Sequence, residues 1–164
     1  MEDKSKSVSK VNTSLAGEYL VLSKLTLKGY IATLTLGNTK QVDILATNAK
    51  SLNSYWIEVK TSVNRPANEK LFGENFYWIM HKKHEEITDP KLFYCFVNLF
   101  DENKPHFFIV PSKDVATYCR DQHTKWEKSI HKKQIKSRDE NTMRKFRIDS
   151  TVPSIYEDNW SVLR

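Results

Sequence analysis

The chain has few of the residues that mark specialised protein classes: two cysteines, four glycines and five prolines among 164 residues. Cys95 and Cys119 show neither the density of a disulfide scaffold nor a Cys-x-x-Cys spacing, so both are expected to be reduced core residues. No glycine-rich phosphate loop occurs, so nothing indicates an ATP-driven motor. No apolar run approaches the roughly 18 residues of a membrane span, and no secretory signal is evident, so we expect a cytoplasmic protein without membrane contact.

The remaining composition, with 39% apolar residues, is that of an ordinary globular domain. The length predicts one domain over residues 13–164, preceded by a flexible polar tail over residues 1–12. The helical spacing of leucines predicts a first helix from Leu15 to Lys28, with Ser14 as a candidate N-cap. Gly29 is typical of the residue that ends a helix.

The rest of the chain divides into short apolar strands and further helices. Residues that favour β-structure predict strands over 30–36, 41–46, 55–60, 91–100 and 106–110. Asn, Pro and Gly between residues 62 and 76 predict a loop, and residues 76–87 are predicted to be helical, at least in part. A helix is predicted to begin at Ser112, and apolar residues at helical spacing predict a short terminal helix that includes Tyr156, Trp160 and Leu163.

Two of the predicted strands carry acidic residues in apolar surroundings. Asp43 interrupts the run Gln-Val-Asp-Ile-Leu-Ala over 41–46, and Glu58 is followed two residues later by Lys60. Side chains of a strand alternate between its faces, so Glu58 and Lys60 share one face while Ile57 and Val59 point into a core. The polar loop between the strands predicts a hairpin that brings Asp43 beside Glu58. Adjacent carboxylates repel unless a cation lies between them, and such oxygen ligands favour Mg²⁺ or Mn²⁺.

Each of these residues also has a purely structural interpretation. Glu58 and Lys60 could form an ordinary ion pair on an exposed sheet surface. Asp43 weighs against that interpretation, because a charge in a buried strand is costly unless it is paired or metal-bound. Glu18 lies on the leucine stripe of the first helix, where an acid needs a partner. It could equally be an acid near the helix start that the helix dipole favours.

The order of these residues resembles the PD-(D/E)xK nuclease superfamily, which includes restriction endonucleases and archaeal Holliday-junction resolvases. The resemblance covers residues 14–62: a helix with Glu18, a strand, a strand with Asp43, and a strand with Glu58-x-Lys60. Val42 stands where the family has a proline, which removes no metal ligand. Segments 96–99, 108–112 and 158–160 also look similar to small bacterial members of this group. The resemblance implies an α/β fold with a restriction-endonuclease-like core, in which helices flank a central mixed β-sheet.

The resemblance also implies a metal-dependent nuclease, with an endodeoxyribonuclease in restriction, repair or recombination as the expected form. A Mg²⁺ or Mn²⁺ ion would be held by Asp43, Glu58 and the backbone carbonyl of Val59. Lys60 would orient or activate the attacking water and stabilise the charge that develops on the phosphate. Glu18 would help to position a metal ion or a water molecule.

Residues 120–147 contain ten Lys or Arg and four Asp or Glu, so this segment carries the whole formal excess of +6. Such a patch is typical of a protein that contacts a phosphate backbone, although basic runs are often solvated and partly disordered. Trp126 within it could stack on a base or pack on the domain. DNA is the expected partner ahead of RNA. The candidate phosphate contacts are Arg65, Lys70, Lys125, Lys128, Lys132, Lys133, Lys136 and Arg138.

Two other functions are compatible with the same sequence. The chain could be a catalytically silent nucleic-acid-binding module, or a partner subunit in a restriction or phage-defence system. A chain of this length offers no separate specificity domain, so target choice would depend on a partner or on a homodimer. His81 and His84 could share a helix face at a spacing that some zinc sites use. No matching ligands accompany them, so solvated or nucleic-acid-facing histidines are expected.

Overall fold

Helix α1 spans Lys10–Leu27, so it begins before the predicted start at Leu15 and overlaps the end of the predicted flexible tail. The computed structural model describes residues 9–36, 42–129 and 142–163. Ser9, rather than Ser14, caps the helix, because its side chain accepts a hydrogen bond from a backbone amide three residues further on. This polar cap extends the helix beyond the leucine stripe from which its start was predicted.

Within the described residues the chain forms eight strands and a second long helix. The strands are β1 Tyr30–Leu34, β2 Ile44–Asn48, β3 Ser54–Ser62, β4 Ala67–Glu69, β5 Gly73–His81, β6 Leu92–Asn98, β7 His106–Pro111 and β8 Met143–Asp149. Helix α2 spans Ser112–Ser129 and begins where it was predicted to begin. Two short 3₁₀ helices cover Lys82–Glu85 and Trp160–Val162, and the second lies within the predicted terminal helix.

The central sheet contains five strands in the spatial order β1-β2-β3-β6-β7. Strands β3 and β6 run parallel, whereas the other neighbouring pairs are antiparallel. Strands β2 and β3 form the predicted hairpin. The sheet is therefore mixed, and α1 and α2 flank it, which confirms the predicted fold class.

A second sheet with the order β4-β5-β8 corrects two predictions. Residues 62–76 were predicted to form a loop, but they contain β4 and the start of β5. Residues 76–87 were predicted to be helical, but β5 continues to His81 and only a 3₁₀ turn follows. Phe76, Trp78 and Met80 are buried at every second position, a strand pattern that long-range pairing with β8 stabilises.

Two apolar cores lie on the two faces of the central sheet. Val59 and its neighbours of the same strand face pack with Val21 and Leu25 of α1. Tyr94 and Phe96 of β6 pack on the opposite face with α2 and the second sheet. Both cysteines are free and buried, in agreement with the prediction. No helix of the described ranges is both long and apolar enough to cross a membrane.

Candidate active site

Strand β3 buries Glu58 against the apolar core that contains Tyr94, and Lys60 beside it is partly exposed. Glu58 lies opposite Tyr94 of the parallel strand β6, and its residue surface is only 4% exposed. Its Oε1 atom lies 2.6 Å from Nζ of Lys60, whose side chain is 30% exposed. The second oxygen, Oε2, is buried and makes no hydrogen bond of good geometry among the described residues, although the hydroxyl of Tyr94 interacts with the Glu58 carboxylate. The alternative of an ion pair on an exposed sheet surface is therefore wrong for Glu58.

Asp43 immediately precedes β2 and forms hydrogen bonds with the β3 backbone at Ile57 and Val59, the two residues that flank Glu58. Its backbone amide donates a hydrogen bond of 2.9 Å to the carbonyl of Ile57. Its Oδ2 atom accepts a hydrogen bond of 2.7 Å from the amide of Val59. The hairpin therefore brings the carboxylate of Asp43 to the strand that carries Glu58 and Lys60, as the sequence predicted.

The electrostatic surroundings of Asp43 are those of a crowded carboxylate. Burial is the largest influence and raises its pKa, whereas the hydrogen bond from Val59 lowers it. The nearby carboxylates of Glu18 and Glu58 raise the pKa further, and Lys60 opposes them, so that the result is a raised pKa. A cation at this position would relieve the repulsion between these acids.

Glu18 reaches this neighbourhood from α1, because Gly17 lets the helix approach β3 closely. A Cβ atom at Gly17 would lie 1.9 Å from Oγ1 of Thr61, the residue that follows Lys60. Glu18 itself is half-buried and accepts a hydrogen bond of 3.2 Å from the Ser14 hydroxyl. The buried stripe of the helix runs through Gly17 rather than through the exposed Leu15. Sequence reasoning missed Gly17, whose only signal was a glycine inside a helical pattern.

His84 and Tyr94 form a buried polar pair next to Glu58 that sequence reasoning also missed. Nδ1 of His84 and the hydroxyl of Tyr94 share a hydrogen bond of 2.7 Å. Burial lowers the pKa of His84 to about 4, although Glu58 acts in the opposite direction. Burial and the adjacent charge of Glu58 raise the pKa of Tyr94. The expectation that His84 is solvated or faces nucleic acid is therefore wrong, because β5 and the 3₁₀ turn carry it into the core.

The donor atoms around Asp43 suit a hard divalent cation. The carbonyl of Ile57 and the amide of Val59 both form hydrogen bonds with Asp43. In a strand, the N–H and C=O groups of one residue point to the same side. The Val59 carbonyl therefore faces the side on which Asp43 lies. No group of three His, Cys, Asp or Glu side chains that could hold a metal ion occurs among residues 9–36, 42–129 and 142–163. A cation here would have two carboxylates, one carbonyl and water as ligands, a set that Mg²⁺ accepts.

The predicted phosphate contacts that the structure describes lie on separate parts of the fold. Arg65 lies just beyond the end of β3, with its guanidinium carbon 5.2 Å from the ring centroid of Phe100. Lys70 lies in the β4–β5 turn, and Lys125 and Lys128 lie exposed on α2. The predicted contacts outside the described residues are Lys132, Lys133, Lys136 and Arg138.

The described parts of the basic segment 120–147 are ordered in α2 and β8. Lys145 and Arg147 each contact Glu69 at 2.8 Å, and Arg144 pairs with Glu85. A cleft of about 610 Å³ lies between α2, β8 and the β4–β5 turn, and Lys70 is among its lining residues. None of the four predicted catalytic residues lines this cleft.

The whole fold is similar to the solved structure of a nuclease, the bacterial homing endonuclease I-Ssp6803I. The TM-score is 0.54 at 10% sequence identity, with 94% of this chain and 93% of that chain covered. At this identity the likeness defines the fold alone, an α/β fold that a nuclease shares. No family model matches the sequence, and no curated protein matches it.

Proposed function

We propose that the chain is a metal-dependent nuclease of the PD-(D/E)xK kind that hydrolyses phosphodiester bonds, with DNA as its substrate. One observation carries the proposal: Asp43 is bonded to the main chain on both sides of Glu58, and Glu58 contacts the ammonium group of Lys60. Glu58 and Lys60 are therefore close enough to Asp43 to act on the pKa of its carboxylate. The shared fold with a homing endonuclease supports the same conclusion.

Asp43, Glu58 and the Val59 carbonyl would hold the Mg²⁺ or Mn²⁺ ion. Oε2 of Glu58 supports this role, because it is buried and makes no hydrogen bond of good geometry among the described residues, although the Tyr94 hydroxyl interacts with the same carboxylate. A bound cation would supply Lewis-acid activation of the phosphate and a water of lowered pKa. The bond from Val59 fixes the Asp43 carboxylate without the help of another side chain.

Lys60 would bind the reacting phosphate or orient the attacking water. Its Nζ is held by Glu58 on one side, and its partial exposure leaves donor capacity for a substrate oxygen. A positive charge placed beforehand stabilises the charge that develops in the transition state. Glu18, which approaches Asp43 from α1, would position a second water or ion. Arg65 and Lys70 would contact phosphates away from the reacting bond.

The kind of DNA that the protein prefers to cleave would distinguish a role in restriction from one in repair or recombination. We therefore propose cleavage assays on linear, nicked, single-stranded and branched DNA with Mg²⁺ or Mn²⁺. Asp43→Asn and Lys60→Ala should abolish cleavage, whereas Asp121→Asn, the same change on the exposed face of α2, should leave it intact. RNA strands in the same assay decide between the two nucleic acids.

Metal binding is measured separately, as the rise of the melting temperature that Mg²⁺ produces in the parent protein but not in Asp43→Asn. Retained cleavage in both purified variants would overturn the assignment. Nucleic-acid binding that is indifferent to Mg²⁺, without cleavage of any substrate, would instead identify a silent binding module or a subunit that needs a partner. A concentration-dependent oligomeric state would support the homodimer.

A further inference from the structure

The cleft between α2, β8 and the β4–β5 turn is lined by none of the four candidate catalytic residues and offers a different chemistry. Its volume of about 610 Å³ lies within the range of small-molecule sites, roughly 300–1,000 Å³. The candidate active site supplies carboxylates. The cleft supplies aromatic rings and cations, and among its described lining residues Lys70 alone also has a role in the proposed nuclease, as a phosphate contact away from the reacting bond.

Flat groups line this cleft on two elements. On the β4–β5 turn, the Phe72 ring carries the guanidinium of Arg147, whose central carbon lies 3.9 Å from the ring centroid. On α2, the rings of Trp126 and His123 are stacked, with centroids 5.4 Å apart and planes inclined by 22°. Phe72 and Trp126 are half-buried, so each ring keeps accessible surface. Aromatic and guanidinium planes are the surfaces on which nucleic-acid bases stack.

The charge of the cleft favours an anion. Lys70, Lys145 and Arg147 line it, and Glu69 is the only acid among the lining residues that the structure describes. Glu69 contacts both Lys145 and Arg147, which orders the two cations while leaving the cleft positive. Lys70 is exposed at the rim, where an ammonium group can meet a phosphate.

We propose that this cleft binds an unpaired nucleotide, with its base stacked on Trp126 and its phosphate near Lys70. A base inside a duplex is stacked on its neighbours and cannot enter a concave site unless it leaves the helix. The cleft therefore predicts a preference for strands that contain unpaired nucleotides. This preference specifies the substrate of the proposed nuclease, and in that sense it rests on the proposed function.

The test measures binding rather than cleavage, so that the two proposals can fail separately. The Asp43→Asn protein serves as the parent, because it should bind without cutting. The probes are fluorescein-labelled oligo-dT and oligo-rU strands and a blunt DNA duplex of the same length, measured by anisotropy at one salt concentration. Trp126→Leu removes the aromatic plane but keeps an apolar side chain, and Trp126→Phe keeps a plane. Trp56→Leu is the matched control, since Trp56 is exposed on β3 and does not line the cleft.

We expect Trp126→Leu to weaken single-strand binding roughly five- to a hundredfold, the effect of losing one stacked base, while duplex binding stays at the parent level. Trp126→Phe and Trp56→Leu should bind single strands nearly as the parent does. Stronger binding of oligo-dT or of oligo-rU would identify the preferred sugar. Equal affinity of the parent for single strands and duplex would overturn the proposal, as would an unchanged affinity of Trp126→Leu. The protein with intact Asp43 could also prefer single strands and yet cleave no substrate. That result would refute the proposed nuclease activity and support the proposed nucleotide-binding cleft.

Discussion

The backbone amide of Val59 donates a hydrogen bond of 2.7 Å to Oδ2 of Asp43. With the bond from the Asp43 amide to the Ile57 carbonyl, it anchors the acid to β3 on both sides of Glu58. The main chain therefore sets the position of the Asp43 carboxylate, which an asparagine could occupy with the same acceptor atom. Charge and geometry at this position can for that reason be separated by experiment.

Asp43→Asn should stabilise the protein without metal at neutral pH. In the parent protein, the pKa of Asp43 is raised by folding, so the carboxyl group favours folding while it is protonated. This contribution to stability is lost as the pH rises through the folded pKa. The variant should gain roughly 0.5–2 kcal/mol of unfolding free energy at pH 7, the usual scale of a stabilising substitution. Urea denaturation at pH 7 and at pH 4 measures the gain.

The gain should shrink as the pH falls, because the raised pKa of Asp43 makes the folded parent protein take up this proton before the unfolded chain does. Asp121→Asn, on an exposed surface of α2, is the control and should change stability little at either pH. A loss of stability in Asp43→Asn at pH 7 would show that the ionised carboxylate is needed for its bond to Val59.

The ion pair between the buried Glu58 and the partly exposed Lys60 should show strong coupling in stability. Lys60→Met leaves the carboxylate of Glu58 buried without its cation, which we expect to cost about 1–3 kcal/mol, less than the value for a fully buried pair because Lys60 is partly exposed. Glu58→Gln in the same chain should recover most of that loss. The double-mutant cycle is measured by chemical denaturation in the absence of metal. Additive effects of the two substitutions would contradict the coupling, and Lys113→Met on α2 controls for the change of residue type.

His84 should make the folded protein sensitive to mild acid. Its pKa is lowered to about 4, so the unfolded chain, with an ordinary histidine, takes up a proton first as the pH falls. The stability that neutral His84 contributes is complete above about pH 6.5 and is lost progressively toward pH 4. At pH 5 the loss amounts to about 2 kcal/mol by this linkage.

His84→Gln should flatten the dependence of the unfolding free energy on pH between 7 and 5. His81→Gln is the matched control, since His81 is exposed and lies at the start of the same 3₁₀ turn. An equal pH dependence in His84→Gln and in the parent would show that another group titrates in this range.

Gly17→Ala should destabilise the protein, although alanine favours helices over glycine by about 1 kcal/mol. The added Cβ would lie 1.9 Å from Oγ1 of Thr61, so α1 must move away from β3. We expect a net loss of about 1–3 kcal/mol, as for an overpacked core, measured as a lower denaturation midpoint. The second substitution Thr61→Ala removes the clashing atom and should restore part of the loss. Ala16→Gly, at an exposed neighbouring position, should show the ordinary helix-propensity effect instead.

Local patterns predicted the part of the site that depends on neighbouring strands. The hairpin of β2 and β3 joins residues close in the chain, so the polar loop and the alternation of faces placed Asp43 near Glu58 and Lys60. Trp126 was left open between stacking on a base and packing on the domain. The strand β5 was mistaken for a loop and a helix, because its pairing partner β8 follows more than sixty positions later.

The sequence by itself determined the order of the elements in the first third of the chain, the mixed α/β character and the shared face of Glu58 and Lys60. These features follow from periodicities that need no distant partner. Only the tertiary structure decided the burial of Glu58, the pairing of His84 with Tyr94, the close approach of Gly17 to Thr61 and the aromatic cleft. Each of these depends on side chains that long-range packing brings together, and no local pattern records which distant residue will be the neighbour.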